Sequence, residues 1–257
     1  MTERRRKNVS FSLWNMQQYF SSVPIVTGGT YIFTKEQAHH ARDVVRLDHE
    51  KVRIVYEGTG YFGICRSEGK DFVADIVEKD ERVNESSVKL TICQALIRRE
   101  KFELILQKAA ELGAVKIVPF ESSRCVVRAK SEKAGKQLAR WNEIVREASE
   151  QCKRNSIPEV TEIRQFADLS EIEGEVKMAA YENAFGKSSF ISDVLTDQNS
   201  AVIVIGPEGG FSEAEVEQLR AMGYVPVTFG SRILRAETAA VYGCAIVSEI
   251  GERRHKQ

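Results

Sequence analysis

The sequence predicts an α/β protein: a mostly parallel sheet covered by helices on both faces, preceded by a smaller β-rich module. Three observations point there. From Val88 onward, short β-branched apolar runs alternate with segments of helical period, the order that places helices over a parallel sheet. Val202–Ile205 is apolar without interruption, as in a strand buried on both faces. Residues 51–79 instead hold three strand-length runs separated by Gly-containing turns, the spacing of a compact sheet or barrel.

Taken in order, residues 1–15 read as an extension, expected to be disordered, and Met16 is an alternative start. QQYF (17–20) is the first strand-like run. Thr34 and Gln37 cap a short helix through about Val45. KVRIVYE (51–57), YFGICR (61–66) and DFVADIVEK (71–79) follow as strands, joined by GTG and SEGK turns. The polar stretch DERVNESS (80–87) reads as a linker, so the module spans 16–82 and the larger domain 83–257. In that domain Val88–Ile97 is a strand. Lys101–Leu112 is a helix, because Phe102, Ile105, Leu106, Ala109 and Leu112 recur at helical spacing and Gly113 suits the position after its end. Val115–Phe120 is a strand and Lys133–Arg154 a long helix; Val176–Tyr181 and 202–205 are strands. Ser212 and Glu215 form an S-x-x-E capping box that starts a helix near Glu213. Tyr224–Phe229 is the last strand, and about Glu237–Ile250 the last helix.

Composition narrows the function. The 257 residues are 42% hydrophobic, enough for a sizeable core, and no stretch approaches a membrane-spanning length. The basic N-terminus lacks the apolar core of a signal peptide. Five scattered cysteines, odd in number and without C-x-x-C spacing, fit reduced thiols in the cytosol. The 37 basic and 37 acidic residues cancel, but unevenly. Residues 124–154 carry nine Lys/Arg against four Asp/Glu, and residues 155–221 carry four against thirteen. A local basic excess leaves an anionic partner open, although a single charge run is usually a solvated helix face.

Four stretches could carry chemistry. GPEGG (206–210) sits between a buried strand and a capped helix, where open α/β sheets bind ligands. FGSRILRAETAAVYG (229–243) sets Arg232, Arg235 and Glu237 between a strand and an Ala-rich helix; a structural Arg–Glu pair and a polar site wall are both open readings. SSRCVVR (122–128) follows the 115–120 strand, and EASEQCKR (147–154) ends the basic helix. In the latter, Lys153 and Arg154 suit a helix C-terminus or a phosphate. No Lys-Ser/Thr follows GPEGG, no G-x-G-x-x-G follows a strand, and there is no G-x-S-x-G elbow. The four histidines offer no metal-ligand spacing, so no metal is expected. These residues define a binding site and suggest nucleic acid; they do not define a reaction.

The same stretches carry a resemblance. IGPEGGFSEAE (205–215), FGSRILRAETA (229–239), LQKAAELGAVKIVPF (106–120) and REASEQCKR (146–154) resemble the signatures of the RsmE-type methyltransferases of 16S ribosomal RNA, in the SPOUT class, over about Met16 to Ile250. The resemblance implies a C-terminal α/β domain with a deep trefoil knot, an N-terminal PUA-like RNA-binding β-barrel, and a cytoplasmic homodimer. It implies S-adenosylmethionine (SAM) bound by three loops: Tyr181 and Glu182; Gly206, Pro207, Glu208, Gly209 and Gly210; and Gly230, Ser231, Ile233, Leu234 and Arg235. The implied reaction methylates N3 of a uridine in 16S rRNA, within the 30S subunit. Arg235 would stabilise developing charge or bind the target phosphate, Glu237 would orient Arg235 or relay the proton, and Glu208 is the alternative carboxylate. RNA contacts are expected from Arg46, Arg124, Arg128, Lys153 and Arg154. Alternatives are a SPOUT enzyme with another RNA target and a non-catalytic RNA-binding relative.

The chain departs from the pattern in places. Gln18 stands where an Arg is expected, which puts an RNA contact there in doubt. Phe229 replaces the usual Leu, and Cys152-Lys153 stands for a small Ser/Gly pair. Arg98-Arg99-Glu100-Lys101 replaces a Gly-Asp-Lys turn.

Overall fold

A computed structural model describes residues 16–128, 132, 134–181 and 189–255. The expected extension and Glu182 lie outside the described residues. The chain divides into two units, Met1–Val83 and Asn84–Gln257.

The first unit is a five-stranded sheet built from β1 (Gln18–Phe20), β2 (Thr30–Ile32), β3 (Lys51–Tyr56), β4 (Thr59–Glu68) and β5 (Asp71–Asp80), in the order β1-β3-β4-β5-β2. β1 runs parallel to β3 and the other pairings are antiparallel. Helix α1 (Lys35–His39) starts at the predicted Thr34–Gln37 capping box. The β3–β4 turn is Glu57–Gly58 rather than Gly-Thr-Gly. Both residues have positive φ (44° and 77°), the twist a two-residue hairpin needs, and pairing resumes at Thr59. Tyr19, Tyr31, Phe33, Ile54 and Phe72 form the aromatic-rich centre of the core.

Arg53 is the unexpected member of this unit. It is fully buried on β3, donating from Nε to Asp80 Oδ2 at 2.8 Å and from Nη1 to Gln18 Oε1 at 2.6 Å. A buried guanidinium is tolerated only when paired and hydrogen-bonded. Gly60 follows from it, since a Cβ there would sit 2.5 Å from Arg53 Nη2. Gln18 is therefore not a vacated RNA contact: it is 2% exposed and serves Arg53.

The second unit holds β6 (Lys89–Ala95), α2 (Arg99–Glu111), β7 (Ala114–Glu121), α3 (Ala134–Gln151), β8 (Glu159–Val160), β9 (Arg164–Gln165), β10 (Val176–Ala180), α4 (Ile191–Val194), β11 (Ser200–Ile205), α5 (Glu213–Ala221), β12 (Val225–Val227) and α6 (Ala236–His255). The sheet order is β12-β10-β11-β6-β7-β8, with β9 also on β7, and every pairing is parallel. β11 lies between β10 and β6, and five of its six residues are buried, as its unbroken apolar run requires. The short β8, β9 and α4 carry no sequence pattern long enough to announce them.

The boundary between the two units, Val83/Asn84, falls within the stretch 80–87, whose two ends are tied down: Asp80 is bonded to Arg53 and Arg82 in the first unit, and Glu85 accepts from the backbone N–H groups of Asn155 and Ser156 in the second. One expectation is corrected in the second unit. The long helix ends at Gln151 rather than Arg154, because Lys153 takes a left-handed conformation (φ +65°) that turns the chain inward.

Candidate functional site

Parallel strands end at one edge of a sheet, and three of their loops meet here around a cavity of about 190 Å³. Ala180 and Tyr181 leave β10, residues 205–211 leave β11, and Phe229 to Leu234 leave β12; Ala236 and Ala239 of α6 close the side. Tyr181 N–H donates to Val227 O at 3.1 Å, which ties the first loop to the third.

The Gly-Pro-Glu-Gly-Gly turn is shaped by its glycines and held from outside. Gly210 has φ +64°, and its N–H closes the turn on Pro207 O at 2.9 Å. A Cβ on Gly206 would come 3.3 Å from the Phe211 ring. Phe211 is buried and packs against Phe120 and Phe166. The capping box forms as predicted: Ser212 Oγ accepts from Glu215 N–H, and Glu215 Oε2 accepts from Ser212 N–H. Glu215 also accepts from Ser123 N–H at 2.9 Å, which joins the 122–128 loop to the turn. Burial opposes its ionisation, but the donors from Ser212 and Ser123 outweigh that and hold it below the usual carboxylate range. In the third loop Gly230 has φ +101°, and its N–H donates to Thr228 Oγ1 at 3.2 Å.

Of the residues expected at a cofactor, Tyr181, Gly206, Pro207, Glu208, Gly209, Gly210, Gly230, Ile233 and Leu234 line the cavity. Ser231 and Arg235 lie outside its lining, both exposed. Glu237 does not line it either, and it forms no ion pair with Arg235 among the described residues. Its partner is Lys101 of α2, whose Nζ lies 3.3 Å from Glu237 Oε2 and 4.0 Å from Glu208 Oε1. The sequence gives Lys101 no place at the site, because only the fold brings the start of α2 to the start of α6. Phe211 and Phe229 were also missed as walls, although each is an aromatic residue directly flanking a glycine turn.

The basic residues divide by what they already bind. Arg154 is not an RNA contact. It is 3% exposed and donates to Glu85 and to the carbonyls of Ala110 (3.0 Å) and Ala114 (2.6 Å), so it is spent inside the second unit. Lys153 is half-buried and donates to Glu150 O at 3.0 Å, as a helix C-cap does. Arg124 donates from Nη1 to Gly209 O at 3.1 Å and Phe211 O at 3.4 Å, so it braces the glycine turn. Arg128 donates to the carbonyls of Ser122 and Ser123 while remaining half exposed. Arg46 is exposed on the first unit, at φ +62°. No group of three or more His, Cys, Asp or Glu residues suited to a metal occurs among the described residues. No described helix is long and apolar enough to cross a membrane.

A parallel sheet with a glycine-cornered cavity at its strand ends defines an α/β ligand-binding protein, and residues 84–248 match the model of the RNA methyltransferase domain family. The chain is 35% identical to ribosomal RNA small subunit methyltransferase E of Bacillus subtilis, covering 91% of this chain and 96% of that protein. It is 33% identical to the protein of the same name from Mesomycoplasma hyopneumoniae, covering 82% and 91%. The crystal structure of the Neisseria gonorrhoeae ribosomal RNA small subunit methyltransferase E bound to S-adenosyl methionine superposes with a TM-score of 0.83 at 28% identity, covering 91% and 98%. The chain belongs to this family of ribosomal RNA small subunit methyltransferases.

Proposed function

We propose that this protein transfers the methyl group of SAM to N3 of one uridine in 16S rRNA. The observation that carries the reading is the glycine-cornered cavity at the strand ends, in a chain whose whole-length relatives are ribosomal RNA small subunit methyltransferases. The residues present fit the cofactor. Gly206 admits no Cβ without pressing on Phe211, and Gly230 needs φ +101°, so main chain forms much of the wall, while Leu234 and Ala239 give it apolar faces. When bound, SAM supplies an electrophilic methyl on a sulfonium.

This chain's residues have the remaining tasks. Uridine N3 carries a weakly acidic proton, which must leave as the nitrogen becomes nucleophilic. Glu208, in the cavity wall, is the carboxylate best placed to take it or to hold a water that does. Arg235, exposed beside the loop, offsets charge developing on the uracil oxygens or grips the target phosphate. Glu237 faces Lys101 and is a positioning group rather than a reacting one. The target base must leave its stack to reach the cavity. Arg46, Arg128 and the free edge of Arg124 are the phosphate contacts this reading favours, with Lys153 secondary.

Finer features belong to the same reading. The second unit forms a deep trefoil knot, the first is a PUA-like barrel that holds RNA, and the protein works in the cytoplasm on the 30S subunit. It works as a homodimer. Labelled SAM offered with 30S subunits, naked 16S rRNA, 50S subunits and tRNA tests the proposal. The expected product is 3-methyluridine from the 30S sample alone. Label in tRNA or 50S subunits would overturn the substrate assignment.

A further inference from the structure

The start of α2 brings a cation up to Glu208, one wall of a cavity built from the loops after β10, β11 and β12. Lys101 Nζ lies within 4.0 Å of two carboxylates, Glu208 on the glycine turn and Glu237 at the start of α6. The two carboxylates differ. Glu208 lines the cavity and its side chain is 30% exposed, whereas the Glu237 side chain is 14% exposed and its Oε2 is buried without a hydrogen bond. A buried carboxylate oxygen with no donor is costly unless a cation stands beside it. Lys101 is that cation, 3.3 Å away.

We propose that Lys101 is a charge-balancing residue at the edge of the cofactor cavity, cancelling one of two carboxylate charges there: Glu208 in the wall and Glu237 behind it. This rests on SAM being the ligand. The donor is a sulfonium cation, and the product left after methyl transfer, S-adenosylhomocysteine, is a neutral thioether of nearly the same shape. A cavity flanked by two uncompensated carboxylates would favour the cation and handicap the neutral product only modestly in shape terms, but strongly in charge terms. With Lys101 present the net charge of the cluster is minus one, so donor and product are held more evenly and the product is free to exchange. The ammonium thus sets a specificity ratio rather than supplying a contact.

Calorimetric affinities for SAM and S-adenosylhomocysteine, measured in the full-length protein, test this. Lys101→Met should shift the preference toward SAM by roughly threefold to tenfold, the effect of one added charge across a partly solvated cavity. Lys101→Arg should keep the wild-type ratio. Lys101→Met with Glu237→Gln should restore it, since the double variant has the wild-type net charge. Loop loosening would weaken both ligands by one factor and leave the ratio unmoved. An unmoved ratio in Lys101→Met, with a thermal melt showing the variant folded, would overturn the proposal. A wild-type protein that binds neither ligand would overturn the cofactor assignment itself.

Discussion

Replacing Arg154 by Met separates two roles that the sequence leaves open, a phosphate contact and an internal tie. Met keeps the stem and removes the guanidinium. In the folded protein that guanidinium is bonded to Glu85 at 2.6 Å and to the carbonyls of Ala110 and Ala114, and its side chain is 4% exposed. Breaking a buried pair from one side costs roughly 3–5 kcal/mol. Glu85 keeps two backbone N–H donors, from Asn155 and Ser156, and its side chain is 20% exposed, so it is only partly stranded. The cost therefore falls near the lower end, about 3 kcal/mol. Urea unfolding followed by Trp141 fluorescence reads it, in a Trp14→Phe background so that one buried tryptophan of the second unit reports. The midpoint should fall by about 1.5 M at a typical m-value of ~2 kcal/mol/M. RNA affinity of the folded variant should keep its wild-type slope against salt. An unmoved midpoint, together with a slope shallower by about one phosphate contact, would refute the internal assignment.

Three further outcomes follow from the same contacts. Arg140, against the cost of burial and with help from Arg99, lowers the Glu103 carboxyl to about 2 from its ordinary 4.5. The α2–α3 tie it makes is therefore complete above about pH 4.5 and is lost as pH falls toward 2, so Glu103→Gln should flatten acid unfolding of the second unit across that window. Arg124→Met should weaken SAM binding several-fold by freeing the Gly209 and Phe211 carbonyls, with the loss visible by calorimetry in the absence of RNA. Gln18→Leu should destabilise the first unit by about 1–3 kcal/mol, because Arg53 loses a buried acceptor, while leaving the second unit's Trp141 transition in place.

What the sequence reveals and what it hides divide along the distance between interacting residues. The parallel sheet is legible because Val202–Ile205 and its neighbours advertise burial on both faces, and the turn at 206–210 is legible because its glycines and the Ser212–Glu215 box are local devices. The role of Arg154 is not, because a helix-terminal arginine looks the same in sequence whether it meets water or Glu85, which lies 69 positions earlier. Lys101 is hidden for the same reason: both its carboxylates lie more than a hundred residues downstream. Position 18 shows the converse error. A departure from the family pattern looked like a lost surface contact, yet the side chain is an internal partner of Arg53, and Gly60 is shaped around the same guanidinium.

The position of β11 has a consequence for how the chain folds. Its neighbours β6 and β10 are both made before it: β6 ends at Ala95 and β10 at Ala180, but the strand that joins them begins only at Ser200. During synthesis the β6–β7–β8 half of the sheet and the lone β10 therefore wait with open edges, and the central seam closes only after some four fifths of the chain exists. Closure costs the entropy of a loop of about a hundred residues between β6 and β11, so it is slow, and the exposed edges are ready templates for pairing with another copy. Refolding yield should accordingly fall as protein concentration rises, and a chain released before Ser200 should aggregate rather than fold.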